Sequence, residues 1–419
     1  MRLSLVAIFI LLAMFTVFAP FASARTKVTI ALTGGEALFP EQIRTWFEEE
    51  YPQYEVEWML PPWGFVREVP VLAAGGVAPD AWYGEAGYAM EWGFNGMTED
   101  LGPYIARDLS PDEYYLLDAV RDPAGPVWGV PGDFQVTVTF YRPSLFDQAG
   151  LAYPEPDWTL DDMLSMAEKL KRIQGDQVVQ YGLAGHWASI SVGWFFWTKL
   201  LGGHVLDETR TRSLLNSRET VAALEEMRSW IFERNIIPKP GEGNYTFLRG
   251  NLAMENYIYV RVTNARDAGF TDYDVQLTPA GPGGRRFTTV VPNVWVMNAA
   301  SSPERKEAAW DWIKFALSPK VQAFRALQGF GVPVNREAGL EFLQMAPIPK
   351  NRIAFLESFA FAQTLDENAV WGIWALGGDS VYEQFLRTIF EGTESVPGAV
   401  EKAHHHLSVI LESAFGSRN

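Results

Sequence analysis

From Lys27 to Tyr83 the hydrophobic period switches back and forth between that of a strand and that of a helix, and few folds accommodate this. In Lys27–Leu32, Val28, Ile30 and Leu32 share one side, the two-residue period of a strand. A glycine-rich turn, Thr33-Gly34-Gly35-Glu36, follows, and then Ile43, Trp46 and Phe47 recur at helical spacing until Tyr51-Pro52 stops the helix. Glu55–Met59 alternates again, with Val56 and Trp58 inward. Val66–Ala74 reads as a helix ending at Gly75-Gly76, and Pro79-Asp80 leads into the apolar run Ala81-Trp82-Tyr83. Strand, helix, strand, helix, strand predicts an α/β fold with a mainly parallel sheet flanked by helices.

The pattern continues. Val127–Tyr141 is a long strand candidate. Thr159, with Asp162 three residues on, caps a helix whose inner face is Met163, Leu164, Ala167 and Leu170. Ser217 opens another helix, Tyr273–Pro279 and Val290–Met297 read as strands, and Ser301-Ser302-Pro303 starts a helix with Pro in its first turn. The last helix is expected over about 396–412.

Arg2, an apolar run from Leu3 to Phe21 and the small-x-small sequence Ala22-Ser23-Ala24 form the pattern of a cleaved secretory signal peptide, residues 1–24. The segment has no Cys, so no lipid is attached through one, and a periplasmic location is expected. An exported protein with no Cys among 419 residues must be stabilised by a large core rather than by disulfides. It also lacks thiol nucleophiles and thiolate metal ligands. Five His, three of them in the run His404-His405-His406, leave no expected metal site and no cofactor. Adjacent helical residues face different ways, so that run reads as a solvated helix surface. The net charge of −17 argues against nucleic acid and against an anionic membrane surface. Sixteen Trp exceed what a core requires, and Trp offers the flattest face for an apolar ligand surface.

The order of segments resembles the family 1 extracellular solute-binding proteins of ABC importers, the maltose-binding type. The resemblance is carried by Phe47–Pro52, Leu72–Asp80, Trp128-Gly129-Val130-Pro131, Thr139–Leu151, Trp158–Asp162, Phe247–Met254, the Ser301–Phe315 helix and Gly331-Val332-Pro333. It departs at Arg142, where the family usually has Asn, and over Glu255–Tyr259, which lacks the Gly and Trp often found there. What it implies is two α/β lobes joined by a hinge, the type II periplasmic binding protein fold. Lobe one would comprise 25–134 and 279–331, and lobe two 135–278 and 332–419. A carbohydrate ligand would bind in the cleft. Closure would present a monomeric binding protein to two permease subunits driven by a cytoplasmic ATPase.

A sugar presents C–H faces and a rim of hydroxyls, so its binder needs aromatic plates and planar polar groups. Trp82 and Tyr83 stand at a strand end, Glu36 in the turn after the first strand, and Trp63 in the loop Pro61-Pro62-Trp63-Gly64, with no obvious core to enter. Gln135 lies in the expected hinge strand, and His186, Trp187 and Trp194 in the richest aromatic stretch. Phe195, Phe196 and Trp197 in that stretch, and Trp295, read as core, and Asp80 as an acceptor within its own turn. Tyr257, Asn293, and Trp371 or Trp374 complete the candidates; by the resemblance, Tyr257 and the two Trp fall where the family places ligand contacts.

Two rivals remain. A secreted glycoside hydrolase would need two facing carboxylates, and no pair stands out at strand ends. The same fold could hold a phosphorylated polyol, which Arg67 or Arg261 in the cleft would indicate, because a buried anion needs a cationic partner.

Overall fold

The structure, a computed structural model, describes residues 25–32, 40–61, 63–243, 245–345 and 348–416. The expected signal peptide, 1–24, and Glu36 lie outside them, as does the side chain of Trp63.

Strands β1 (Thr26–Ala31), β2 (Tyr54–Met59) and β3 (Ala81–Glu85) pair in parallel, β1 in the middle. This is the arrangement that the alternating periods predict. Strand β4 (Val130–Tyr141) is buried along its whole length. The strands β5 (Arg172–Gln174), β6 (Gln177–Leu183), β7 (Leu252–Ile258), β8 (Asp274–Gln276), β9 (Thr288–Met297) and β10 (Ala362–Gln363) complete the sheet, in the order β2-β1-β3-β9-β4-β7-β6-β5. β10 pairs with β9 and β8 with β4.

The sheet is mixed rather than mainly parallel, because the backbone returns along β9 antiparallel to both β3 and β4. β4 changes partners midway. Val130–Val136 pairs with β9, whereas Thr137–Tyr141 pairs with β7, and its last three residues also with β8. One strand therefore runs through both halves of a two-lobed molecule. One core gathers Val28, Phe47, Trp295 and Trp312 about the first strands and continues along β4 to Phe140 and Phe355. A second gathers Met163, Trp194, Trp197, Trp230 and Leu407.

Local chemistry sets the element ends. Thr159 and Asp162 form a reciprocal capping box on the Leu160–Leu170 helix. Ser217 and Ser302 cap Arg218–Phe232 and Pro303–Ala316 through their hydroxyls. The segment read as one helix over 66–74 is a 3₁₀ turn, Trp63–Arg67, followed by Val69–Ala74. Asp80 does more than hold its own turn. Fully buried, it accepts from the Thr29 N–H at 2.9 Å and the Ser301 hydroxyl at 2.5 Å, and pairs with Arg305 at 2.7 Å. Arg142 grips Asp272 at 2.6 Å, a structural role.

Candidate functional site

A cavity of about 610 Å³ opens between the two halves. One wall comes from the end of β3 and the start of the Ala86–Phe94 helix, and the floor from β4 and β9. The far wall is built by Ile258 and Val260, Phe330, and the segment Leu365–Leu376.

Several polar groups at this cavity are already committed. The Gln135 amide donates to the Phe330 carbonyl at 2.8 Å and accepts from the Val260 N–H at 2.9 Å, so it pins two wall segments to β4. The Tyr83 hydroxyl donates to Asp133 and accepts from Arg325 at 2.7 Å; Arg325 also binds Asp133 at 2.8 Å, and Asn293 donates to it at 2.9 Å. Thr263 donates to the Gly329 carbonyl. Arg266 pairs with Asp267 and donates to the Gln328 carbonyl.

Two carboxyls remain. Glu85 ends β3 and has no hydrogen-bond or ion-pair partner among the described residues. Burial pushes its carboxyl above the usual range, against the pull of Arg67. Glu367 is 3 % exposed and accepts the Leu365 N–H at 2.9 Å. Burial pushes its carboxyl up to about 7, against the attraction of Arg210.

Trp371 supplies an aromatic wall. Its ring lies on Gly87, where a methyl group would meet ring atoms at 2.1 Å. That contact brings the Glu367 segment against the end of β3.

Of the residues singled out in the sequence, Tyr83, Gln135, Asn293 and Trp371 line this cavity. Trp82 is wholly buried, edge-on to Trp92 at 5.5 Å. Trp194 and Trp374 sit in the second core, the latter donating to Asn368 at 3.1 Å. His186, Trp187 and Tyr257 border a separate depression of about 510 Å³ in the second half. There His186 bonds the buried Glu255 at 2.7 Å, Trp187 stacks on Phe390, and the Arg261 guanidinium covers the Tyr257 ring at 3.8 Å. Arg261 is held by Glu255 at 2.5 Å, Arg67 donates to the Tyr88 hydroxyl, and neither lines the cavity.

Sequence reasoning missed Glu85 and Glu367. Glu85 carried a usable signal, a carboxylate at the carboxyl end of a parallel strand just before a helix. Glu367 did not, since Asp366-Glu367-Asn368 reads as a solvated turn. No cluster of three or more His, Asp or Glu that could hold a metal occurs among the described residues.

The chain is similar to two curated proteins. A mannitol-binding protein of Pseudomonas aeruginosa is 27 % identical over 167 residues, 38 % of this chain and 36 % of that protein. An erythritol/L-threitol-binding protein of Mycolicibacterium smegmatis is 24 % identical over 290 residues, 62 % of this chain and 59 % of that one. The matches thus span about a third and three-fifths of these relatives. The fold is that of the sugar-binding protein MalE of Xanthomonas citri, with a TM-score of 0.79 at 19 % identity over 94 % of this chain and 100 % of the other. Residues 29–323 match the model of the bacterial extracellular solute-binding proteins, and the chain belongs to that family.

Proposed function

We propose that this protein captures a sugar or polyol in the cavity between its lobes and delivers it, chemically unchanged, to an ABC importer. The observation that carries the reading is the pairing of an aromatic wall, Trp371, with two carboxyls not held by an ion pair, one from the end of β3 and one from the opposite wall. Ligand hydroxyls donate to carboxylates, and the ligand's apolar C–H groups lie on the indole. In this reading Gln135, Tyr83 and Asn293 support the floor, and Trp371, Glu85 and Glu367 meet the ligand. By the same reading the lobes divide near 134, 279 and 331, and the first of these lies close to where β4 exchanges β9 for β7. The ligand, touching both lobes, stabilises the closed form by its differential affinity, and that form docks on two permease subunits with their cytoplasmic ATPase. Export through residues 1–24 would place a monomer in the periplasm.

A polyol as small as those named for the two curated relatives is the second reading, favoured by those names. A phosphorylated polyol is disfavoured, because the cavity's lining Arg266 is committed to Asp267. The facing carboxyls are what a glycoside hydrolase would also require.

A thermal-shift panel of mono- and oligosaccharides, polyols and phosphorylated polyols separates these readings. A ligand bound only by the folded protein raises Tm by mass action. The expected result is a shift with one class of sugar or polyol, recovered intact. Recovery of cleaved sugar would establish the hydrolase, and a shift with phosphorylated polyols alone would overturn the neutral ligand.

A further inference from the structure

We infer that the cavity's preferred ligand bears an amine, an amino sugar or amino polyol whose ammonium lies against Glu85 and Glu367 beside the Trp371 ring. This rests on the sugar-binding reading and deepens it by assigning the ligand a charge.

Gln135, Tyr83, Thr263 and Arg266 each donate to the protein itself. The charged residues in the lining are Glu85, Asp267, Glu367 and Arg266, and the last is paired with Asp267 at 3.2 Å. Two acids therefore face the cavity with no lining cation to balance them, among the described residues.

The cations outside the lining attract these carboxyls, and neither is ion-paired with one. Arg67, the cation near Glu85, is turned to the Tyr88 hydroxyl. Arg210, near Glu367, donates at 3.0 Å to that residue's main-chain carbonyl rather than to its carboxylate. Asp366, beside Glu367, adds a further negative charge and is held by Lys199 at 3.1 Å.

A buried carboxylate without a counter-charge is costly, and an arriving ammonium removes that cost. Burial holds both carboxyls above their usual range. The indole face adds a cation–π attraction for the same group. A ligand with hydroxyls alone satisfies the carboxyl oxygens but leaves the charge unbalanced. An anionic ligand meets repulsion from both walls.

The test is calorimetric titration of the protein from residue 25 onward with two matched pairs: D-glucosamine against D-glucose, and 1-amino-1-deoxy-D-glucitol against D-glucitol. The amine member of at least one pair is expected to bind tenfold or more tightly at pH 7.5. Its advantage should shrink at pH 5.5, where Glu367 holds its proton. It should fall below threefold in Glu85→Gln, and again in Glu367→Gln, each checked for an unchanged fold by circular dichroism. If the alcohol member of each pair binds as well or better, the charge assignment is wrong and sugar binding stands. If no member binds, the amine assignment fails; if the broad panel also produces no shift, the sugar-binding reading fails with it.

Discussion

A methyl group at position 87 would lie 2.1 Å from the Trp371 ring, so Gly87 is where a small change has a directional effect. Gly87→Ala should displace the indole and weaken ligand binding at least tenfold, measured by titration, while the far-ultraviolet circular dichroism stays unchanged. Trp371→Ala should weaken it similarly, by about 1–2 kcal/mol, since it deletes the plate itself. Glu367 makes a different prediction, about stability in the absence of ligand. Its folded-state pKa, about 7, lies above the ordinary value of 4.5. The folded protein therefore keeps this proton to higher pH than the unfolded protein does. The contribution of Glu367 to stability is full below about pH 4.5, falls between 4.5 and 7, and is lost above that. Glu367→Gln retains a group that can accept the Leu365 N–H and carries no charge. It should be more stable than the natural protein by on the order of 3 kcal/mol at pH 8, with no advantage at pH 4, as denaturant melts at the two pH values would show. At this scale the sequence was only partly legible. Aromatic residues announce themselves, but the same period that marks Trp371 also marks Trp374, and only packing separates the cavity wall from the core. A carboxylate in a polar turn, such as Glu367, carries no mark of burial in the sequence.

At the scale of elements, caps and periods carried most of the information. The Thr159 box, the Ser217 and Ser302 caps and the strands of the first lobe are local features, set by residues within one or two turns of each other. Thr159→Ala should cost about 1 kcal/mol in denaturant melts, the ordinary worth of a cap. What could not be read locally was the exchange of partners along β4, because its residues are buried throughout and show no alternation. The reach of Asp80 was likewise hidden. Its partners Thr29, Ser301 and Arg305 lie far away in sequence, and together they tie β1 and the Pro303–Ala316 helix to the entry of β3. Asp80→Ala leaves a buried N–H and a guanidinium without their acceptor. It should destabilise the protein by about 3 kcal/mol, far more than loss of a turn contact would.

For the whole molecule, the function proposed depends on how the two lobes meet. They touch at both ends of the Ala86–Phe94 helix. At its start Trp371 rests on Gly87, and at its end Phe415, from the last helix, meets Phe94 edge-on at 5.5 Å. In between, β4 runs unbroken from one half of the sheet to the other. Such a connection suits a rigid-body closure about a few residues. A ligand that touches both walls of the cavity couples its occupancy to the position of the lobes. The measurement that tests this most directly is small-angle X-ray scattering from the protein beginning at residue 25, alone and saturated with the ligand identified by the thermal-shift panel. The account predicts a smaller radius of gyration with ligand, and no such change for Trp371→Ala at the same ligand concentration when that concentration leaves the variant unsaturated. An identical scattering curve with and without saturating ligand would contradict it.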